Sequence, residues 1–300
     1  MGENRLLFRS PAICLTVTAA LLSLQIPGIL ALPLEEETSA AAPLTRSLQD
    51  SPLSNNLDSV TALFAQVAVG GGYTTIFALL NTGDTDLNGR LVLTDTEGNP
   101  MKVALSSPPA DPGDIPPGAP ADSMNILIPR GGTRFIAAEP PGALTGTRTG
   151  WARVESTGGR LGGAATFQFV EAGELKTIAG VLAADAVEVA TIPVNNDDIR
   201  NRYTGYAIAN PSATDINIKI VVLDESGSTV ETLILPSLNP LGPGKQIARF
   251  LHQDSQRLKF KGSMVLLADT GKRVSVVALV LEQGLLTAIP VIPAKAPHVN

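Results

Sequence analysis

Short runs of β-branched and other apolar residues alternate with turn-forming residues along most of the chain. Glycine, asparagine, aspartate and proline interrupt these runs at intervals of about 10 residues, which is typical of an antiparallel sandwich or barrel. No window keeps a helical period over three turns. Leu175–Ala186 could form a helix, but its match with Leu285–Pro290 favours the returning strand of a hairpin. We therefore expect an all-β fold of antiparallel sheets. The predicted strands are Tyr73–Leu80, Arg90–Thr94, Asn125–Ile128, Arg134–Ala137, Trp151–Glu155, Gly163–Phe169, Tyr203–Ala209, Asn217–Leu223, Thr229–Leu235, Gln246–Leu251, Ser263–Ala268 and Arg273–Glu282.

The chain also repeats itself. Asn81–Asn88 returns in altered form as Asn210–Asn217, at a displacement of 129 residues. Such self-similarity indicates repeated structural units. The sequence predicts two β-sandwich domains related by internal duplication, at residues 60–185 and 186–293, followed by a tail at 294–300.

The first unit carries a proline-rich insertion. Arg134-Phe135 matches Arg249-Phe250 at a displacement of only 115, so the first unit holds 14 residues more than the second. The extra residues fall within 107–121, where proline removes backbone donors and fixes φ. We expect a surface loop there, which is either a tolerated insertion or a segment that contacts a partner.

The N-terminus has the order of an export signal. Arg5 and Arg9 precede an apolar segment, and Ala31 offers a small residue for cleavage, which predicts a signal peptide over residues 1–31. Residues 32–59 are acidic and then rich in alanine, serine and proline, which predicts a flexible linker. An uncleaved membrane anchor is the alternative, because the apolar segment is almost long enough to span a bilayer.

Composition narrows the compartment and the class of partner. The net charge is −6 and the pI is about 5.0, with no run of basic residues, which argues against nucleic-acid binding. Cys14 is the only cysteine and lies in the leader, so the mature chain would contain no disulfide, zinc–thiolate site or cysteine nucleophile. These features favour a secreted, periplasmic or cell-surface protein of a bacterium.

Seven segments of the chain carry a resemblance to a known family: Phe64–Gln66, Gly70–Thr75, Leu80–Gly83, Gly150–Val154, Thr204–Pro211, Leu223–Gly227 and Leu285–Val291. They resemble an uncharacterised family of secreted bacterial proteins with tandem immunoglobulin-like β-sandwich repeats. The resemblance covers Phe64 to Ile292. It departs in the proline-rich insertion and at Ser263, which stands where the first unit has tryptophan. The family implies two tandem sandwiches of an exported protein, and it brings no catalytic residues.

Residues suited to catalysis are few. The only histidines are His252 and His298, and neither has a partner at a suggestive spacing, so we interpret His252 as a surface or strand-end residue. There is no Gly-x-Ser-x-Gly motif, and the glycines of 70–72 and 158–163 lack the Lys-Ser/Thr pair of a phosphate-binding loop. We predict no catalytic, cofactor-binding or metal-binding residues, and hence no enzyme activity.

Two further features have competing interpretations. Asp84 with Asp86, and Asn195–Asp198, could bind calcium, but asparagine and aspartate also form turns through their own backbone, which we favour. We therefore expect a chelator to leave the melting temperature unchanged. Trp151, the sole tryptophan, is predicted to be a buried anchor rather than a platform for sugars.

The sequence thus predicts an exported, non-catalytic protein that acts as a structural, adhesive or accessory module of the cell envelope or extracellular space. Its partner would be an envelope or extracellular protein or a glycan. The alternative is a glycan- or peptide-binding protein that uses a groove between the domains or the proline-rich loop. Exposure of Trp151 together with Tyr73, Tyr203 or Tyr206 would favour the glycan, and burial of all four the structural module.

Overall fold

Antiparallel strands make up nearly all of the described part of the chain, which comprises residues 60–107, 120–142 and 146–294 of a computed structural model. Within these residues the helices are one α-helix of five residues and one short 3-10 helix. The all-β prediction is confirmed. The elements are β1 (Val60–Val69), β2 (Tyr73–Asn81), β3 (Leu87–Asp95), β4 (Ala104–Ser106), β5 (Ser123–Ile128), β6 (Thr133–Glu139), β7 (Arg148–Thr157), β8 (Leu161–Glu171), β9 (Glu174–Leu182), β10 (Val189–Asp197), β11 (Arg202–Ala209), β12 (Ile218–Asp224), β13 (Thr229–Leu233), the 3-10 helix Pro236–Leu238, β14 (Gln246–Phe250), α1 (Leu251–Ser255), β15 (Lys259–Ala268), β16 (Ser275–Glu282), β17 (Leu285–Ile289) and β18 (Ile292–Pro293).

Each predicted strand corresponds to an observed one, with ends that shift by a few residues. The hairpin prediction for Leu175–Ala186 is confirmed, because β9 pairs antiparallel with β8. Strands β1 and β10 have no counterpart among the predicted segments. The predicted leader and linker (residues 1–59) lie outside the described residues. Most of the predicted proline-rich insertion (108–119) and of the tail (295–300) also lie outside them.

The first and second halves of the chain pair their strands in the same order. In the first half, β1-β7-β3-β5 form one sheet and β4-β6-β2-β8-β9 form the other. In the second half the corresponding orders are β10-β15-β12-β13 and β14-β11-β16-β17. These two groups are joined through one pair, Asp197 opposite Arg202, so that they count as a single nine-stranded sheet.

Matching turns close the matching strands. Asp95 Oδ1 accepts the backbone N–H groups of Glu97 (2.9 Å) and Asn99 (2.8 Å). Asp224 accepts the N–H groups two and four residues further on, both at 2.9 Å. A carboxylate that bonds the backbone just beyond it stabilises a tight turn.

A buried asparagine fixes the following loop in each half. The side chain of Asn81 donates to the carbonyl oxygens of Thr85 (2.7 Å) and Ile128 (3.1 Å). Asn210 makes the corresponding bonds in the second half, including one of 2.9 Å to Leu241. Both asparagines are buried. Their side-chain amides therefore provide hydrogen-bond donors to carbonyl groups that would otherwise lack one.

Two glycines allow close approach of neighbouring strands at matching positions. A Cβ at Gly150 would lie 2.1 Å from the carbonyl oxygen of Thr94, and one at Gly262 would lie 2.1 Å from that of Leu223. Neither position has room for a side chain. Gly150 and Gly262 therefore mark the same point of strand contact in both halves.

The strand registers correct one detail of the sequence match. Phe135 lies opposite Ala78, and Ala248 lies opposite Ala207. The counterpart of Phe135 is therefore Ala248, two positions before the predicted Phe250. The insertion in the first half is correspondingly two residues longer than the sequence match predicted.

Apolar side chains fill a core in each half, and the core of the first half extends into the second. Ala207, Ala209 and Val277, from β11 and β16, belong to the apolar cluster of the first half. The other cluster lies between the sheets of the second half and includes Ile208 and Met264. The two halves therefore share one continuous packed region.

Candidate functional site

A groove of about 500 Å³ lies where the first half meets the second. Strands β1, β3 and β7 provide one wall, and the loop after β11 provides the other. The residues that line it are Thr61, Leu63, Thr94, Gly98, Trp151, Arg153, Glu155, Pro211, Ser212, Ala213 and Gly244.

Trp151 is held at this groove as an anchor between the halves. Its side chain is 1% exposed, and its indole Nε1 donates to the carbonyl oxygen of Gly244 at 2.7 Å. The guanidinium of Arg153 lies over the ring, 5.7 Å from its centroid. The prediction of a buried anchor is confirmed, because an indole so enclosed has no free face for stacking on a sugar.

The polar groups that line the groove have partners in the structure. Arg153 forms an ion pair with Glu155 at 2.5 Å. The Ser212 hydroxyl lies 2.7 Å from Asn210 Oδ1 and 2.9 Å from the carbonyl oxygen of Thr214, which lie beside the groove. No histidine or cysteine is among the lining residues. The two charges that line the groove therefore balance each other.

A second polar cluster lies at the start of α1. The Asp254 carboxylate is 2% exposed; it accepts the Tyr206 hydroxyl at 2.6 Å and pairs with Arg249 Nε at 2.7 Å. Burial, together with the neighbouring Asp254 charge, raises the pKa of Tyr206 above its usual value. Tyr206 is therefore protonated at neutral pH and donates its hydrogen bond to Asp254.

His252 lies beside this cluster in a different environment. Its ring packs against Tyr203, with centroids 4.2 Å apart, and against Phe250 at 5.7 Å. Desolvation lowers the pKa of His252, and the Asp254 charge partly offsets this. Its Nδ1 is buried without a hydrogen-bond partner in the described residues. The residue lies in α1, directly after β14.

A mainly apolar surface lies on the outer side of the five-stranded sheet of the first half, across four of its strands; Thr133 and Glu139 lie on the same side of the sheet. Phe135, Ala78, Ala164 and Leu182 stand opposite one another in a single row across four strands. Leu80 is 41% exposed, Phe135 47% and Leu182 79%. We call this surface the open face, and its residues are Ile76, Ala78, Leu80, Phe135, Gly162, Ala164, Thr166, Ile178, Gly180 and Leu182.

Comparison with known proteins does not assign this chain to a family. No protein-family model and no curated protein matches this chain. Among the described residues, no helix is both long enough and apolar enough to cross a membrane.

The candidate calcium ligands act mainly in local hydrogen bonds. Asp86 Oδ1 accepts the backbone N–H of Arg130 at 3.0 Å, and Asp84 lies 3.8 Å from the same arginine's guanidinium. Asn196 Oδ1 accepts the N–H of Thr204 at 2.8 Å. In the described residues no three histidine, cysteine, aspartate or glutamate side chains are grouped for a metal ion.

The four aromatic residues proposed to separate the two functional hypotheses do not form one exposed cluster. Trp151 and Tyr206 are buried, whereas Tyr73 and Tyr203 are half-buried. Tyr73 packs on Phe169, with centroids 4.7 Å apart, and Tyr203 on His252. The arrangement corresponds to neither full exposure nor full burial.

The open face was not anticipated from the sequence. The signal available was the apolar character of both sides of Tyr73–Leu80, where Ile76, Ala78 and Leu80 alternate with the core residues Phe77 and Leu79. An apolar pattern on both sides of a strand predicts that both sides are buried. In β2, however, the side that carries Leu80 is partly exposed.

Proposed function

We propose that this chain is an exported, non-catalytic β-sandwich protein that acts through its surfaces as a structural, adhesive or accessory module of a bacterial cell envelope or the extracellular space. The exposed, uncharged open face carries the proposal. The largest contiguous apolar surface of a monomeric protein, about 300–600 Å² in area, is often a binding site. The leader-like N-terminus and the cysteine-free remainder of the chain support export.

The proposal includes an immunoglobulin-like architecture in two duplicated halves. Its support is the common strand order, the repeated aspartate turns and buried asparagines, and the glycines at the same strand contact. Independent origin of all these details in one chain requires several coincidences, whereas duplication requires one event. Such duplication yields a protein whose halves differ mainly in what covers their surfaces.

The test combines localisation with a surface variant. The protein should be found in the envelope or culture fluid of its host after fractionation, and cross-linking there should capture a partner. Phe135→Glu places a charge on the open face and should reduce the capture at least about tenfold, because a charge buried without a partner is costly. Leu127→Glu, a change at a similarly exposed position (52%) on the other sheet of the same half, is the control. Cytosolic location, or equal capture by both variants, contradicts the proposal.

The groove favours a second candidate, a binding protein for a peptide or glycan. Its volume of about 500 Å³ falls within the range of ligand pockets. Arg153→Ala removes the half-buried cation of the groove and should weaken the binding of such a ligand. Screening the protein and this variant against peptide and glycan arrays tests the candidate, and the absence of any ligand that distinguishes the two removes it.

A further inference from the structure

The counterpart of the open face in the second half is covered. By strand register, Ala207 and Ala209 correspond to Ala78 and Leu80, and Val277 corresponds to Ala164. The three residues of the second half are 4%, 0% and 9% exposed because they pack into the core of the first half. Leu80 in the first half is 41% exposed. The outer sheet surface of the second half is thus an interface with the first half, whereas the matching surface of the first half, the open face, is exposed.

The surface that covers the second half is formed by β1 and β9 of the first half. Strand β1 packs against β11 and β16, and β9 packs against β17. Gln246 donates its side-chain amide to the Ala65 carbonyl (3.2 Å) and to Gln66 Oε1 (2.7 Å). The Leu286 N–H donates to Thr177 Oγ1 at 2.8 Å. Apolar packing with a few directed hydrogen bonds therefore defines this joint.

The matching surface on the second half is formed by β10 and β17, and no other segment of the described residues covers the depression between them. A depression of about 290 Å³ lies there, and we call it the β10/β17 depression. Its only charged lining residues, Arg202 and Glu282, are paired with each other at 2.7 Å. The remaining lining residues are Pro193, Val194, Asn195, Val280, Thr287 and Ile289.

We infer that the open face binds the β10/β17 depression of a second copy of this chain. The contact would repeat between molecules the joint that already holds the two halves together within one. Both surfaces lack unpaired charge, so neither leaves an ion buried without a partner on association. The inference rests on the proposed function, for which it names the partner.

The geometry of this contact predicts weak, open-ended assembly. Four strands about 4.8 Å apart, with a span of about five residues of about 3.4 Å each, give the open face a footprint of roughly 330 Å². Stable interfaces bury about 800 Å² per partner, so this contact belongs to the weak class. Because two different surfaces meet, each added copy presents another open face, and the assembly grows head to tail unless it closes into a ring.

Other occupants fit the open face less well. Nucleic acid and anionic lipid require basic residues, and the face has no charged residue. Sugars stack on exposed aromatic rings, and Phe135 is the single aromatic residue of the face. The N-terminal residues 1–59 are the remaining candidate from this chain, and the experiment below separates them from a second copy.

Sedimentation velocity over a wide concentration range tests the inference, with the protein in the form that accumulates in its host. We expect the average mass to rise steadily with concentration beyond two copies. L80K on the open face and T287R in the β10/β17 depression should each shift this rise to at least about tenfold higher concentration. L127K, at an exposed leucine of the other sheet, should leave it unchanged. Circular dichroism of each variant verifies that the fold is retained.

Mixing the two variants gives the decisive result. L80K retains an intact depression and T287R retains an intact face, so an equimolar mixture should form a complex of one copy of each and stop there. A single-copy mass at every concentration overturns the inference. So does a dimer that L80K abolishes and T287R leaves intact, since that is face-to-face pairing. Association that appears only after deletion of residues 1–59 assigns the face to that segment and also overturns it.

The outcome can be separated from the proposed function. A protein that stays monomeric, yet captures an envelope partner in a manner that Phe135→Glu reduces, retains the proposed function and loses this inference. Loss of both self-association and capture removes the two together.

Discussion

Individual buried polar residues bind defined partners in this protein, and their contribution can be measured one at a time. Asp254 is enclosed between Tyr206 and Arg249, and Trp151 donates to Gly244. Residue types alone did not indicate these contacts, since the partners lie far apart in the sequence. Turns such as those at Asp95 and Asp224 are easier to predict from sequence, because each aspartate bonds backbone groups only a few positions away.

Removal of the Tyr206 hydroxyl should destabilise the protein. Tyr206→Phe keeps the ring but leaves the buried Asp254 carboxylate with one hydrogen bond fewer, which costs about 1–3 kcal/mol. Urea unfolding, followed by circular dichroism, measures the change. Tyr203→Phe is the control, because the ring of Tyr203 is half-buried and keeps its contact with His252. Equal stability of Tyr206→Phe and the wild type would show that the bond contributes nothing.

His252 should make stability depend on pH. Its pKa in the folded protein lies below the ordinary value of 6.5, so the unfolded chain binds the proton more readily. The free energy of unfolding is therefore at its full value above about pH 6.5 and falls as the pH drops through that value. The loss in melting temperature between pH 7.5 and 5.5 should be smaller in His252→Gln. His298→Gln, close to the chain end, should behave like the wild type; the same loss in all three proteins would exclude the effect.

At the scale of elements, strands with clear turn signals were predictable and strands without them were not. Strand β1 is almost continuously apolar, because one side lies on its own core and the other contacts the second half, so it has no alternation to detect. Strand β10 contains Pro193, which argues against a strand in sequence reading. The short helix α1 directly follows β14, and the sequence pattern predicts a strand end where this helix begins.

The two buried asparagines should contribute similarly to their own halves. Asn81→Ala and Asn210→Ala each leave buried carbonyl groups without a donor, and each should lower the free energy of unfolding by about 1–3 kcal/mol. Thr82→Ala, beside Asn81 but exposed, should change it little. Chemical denaturation of the three variants measures these differences. A large effect of one asparagine and none of the other would show that the matching loops differ in their energetics.

At the scale of the whole molecule, the sequence indicated two related units but not how they are joined. Which side of a sheet is covered depends on packing between distant segments, and strands apolar on both sides carry no information about it. The open face and the joint between the halves could therefore be found only in the structure. The groove was anticipated in general terms as a cleft between the units, although its residues were not.

The shared core predicts that the two halves unfold together. Differential scanning calorimetry of the wild type should give one transition for the β-sheet region. Trp151→Ala removes the anchor and should cost about 3–5 kcal/mol, with the single transition broadening or dividing into two. Leu127→Ala, an exposed position, is the control. Two transitions in the wild type would mean that the halves are energetically independent.

The position of Trp151 gives the molecule a built-in optical probe. As the sole tryptophan, it accounts for nearly all fluorescence excited at long ultraviolet wavelengths, and its indole is enclosed where the halves meet. A red shift of its emission would report the entry of water where the two halves meet. The timing of this shift can be compared with the loss of β-sheet structure. Opening of the contact between the halves can thus be timed in the unmodified protein, without an added dye.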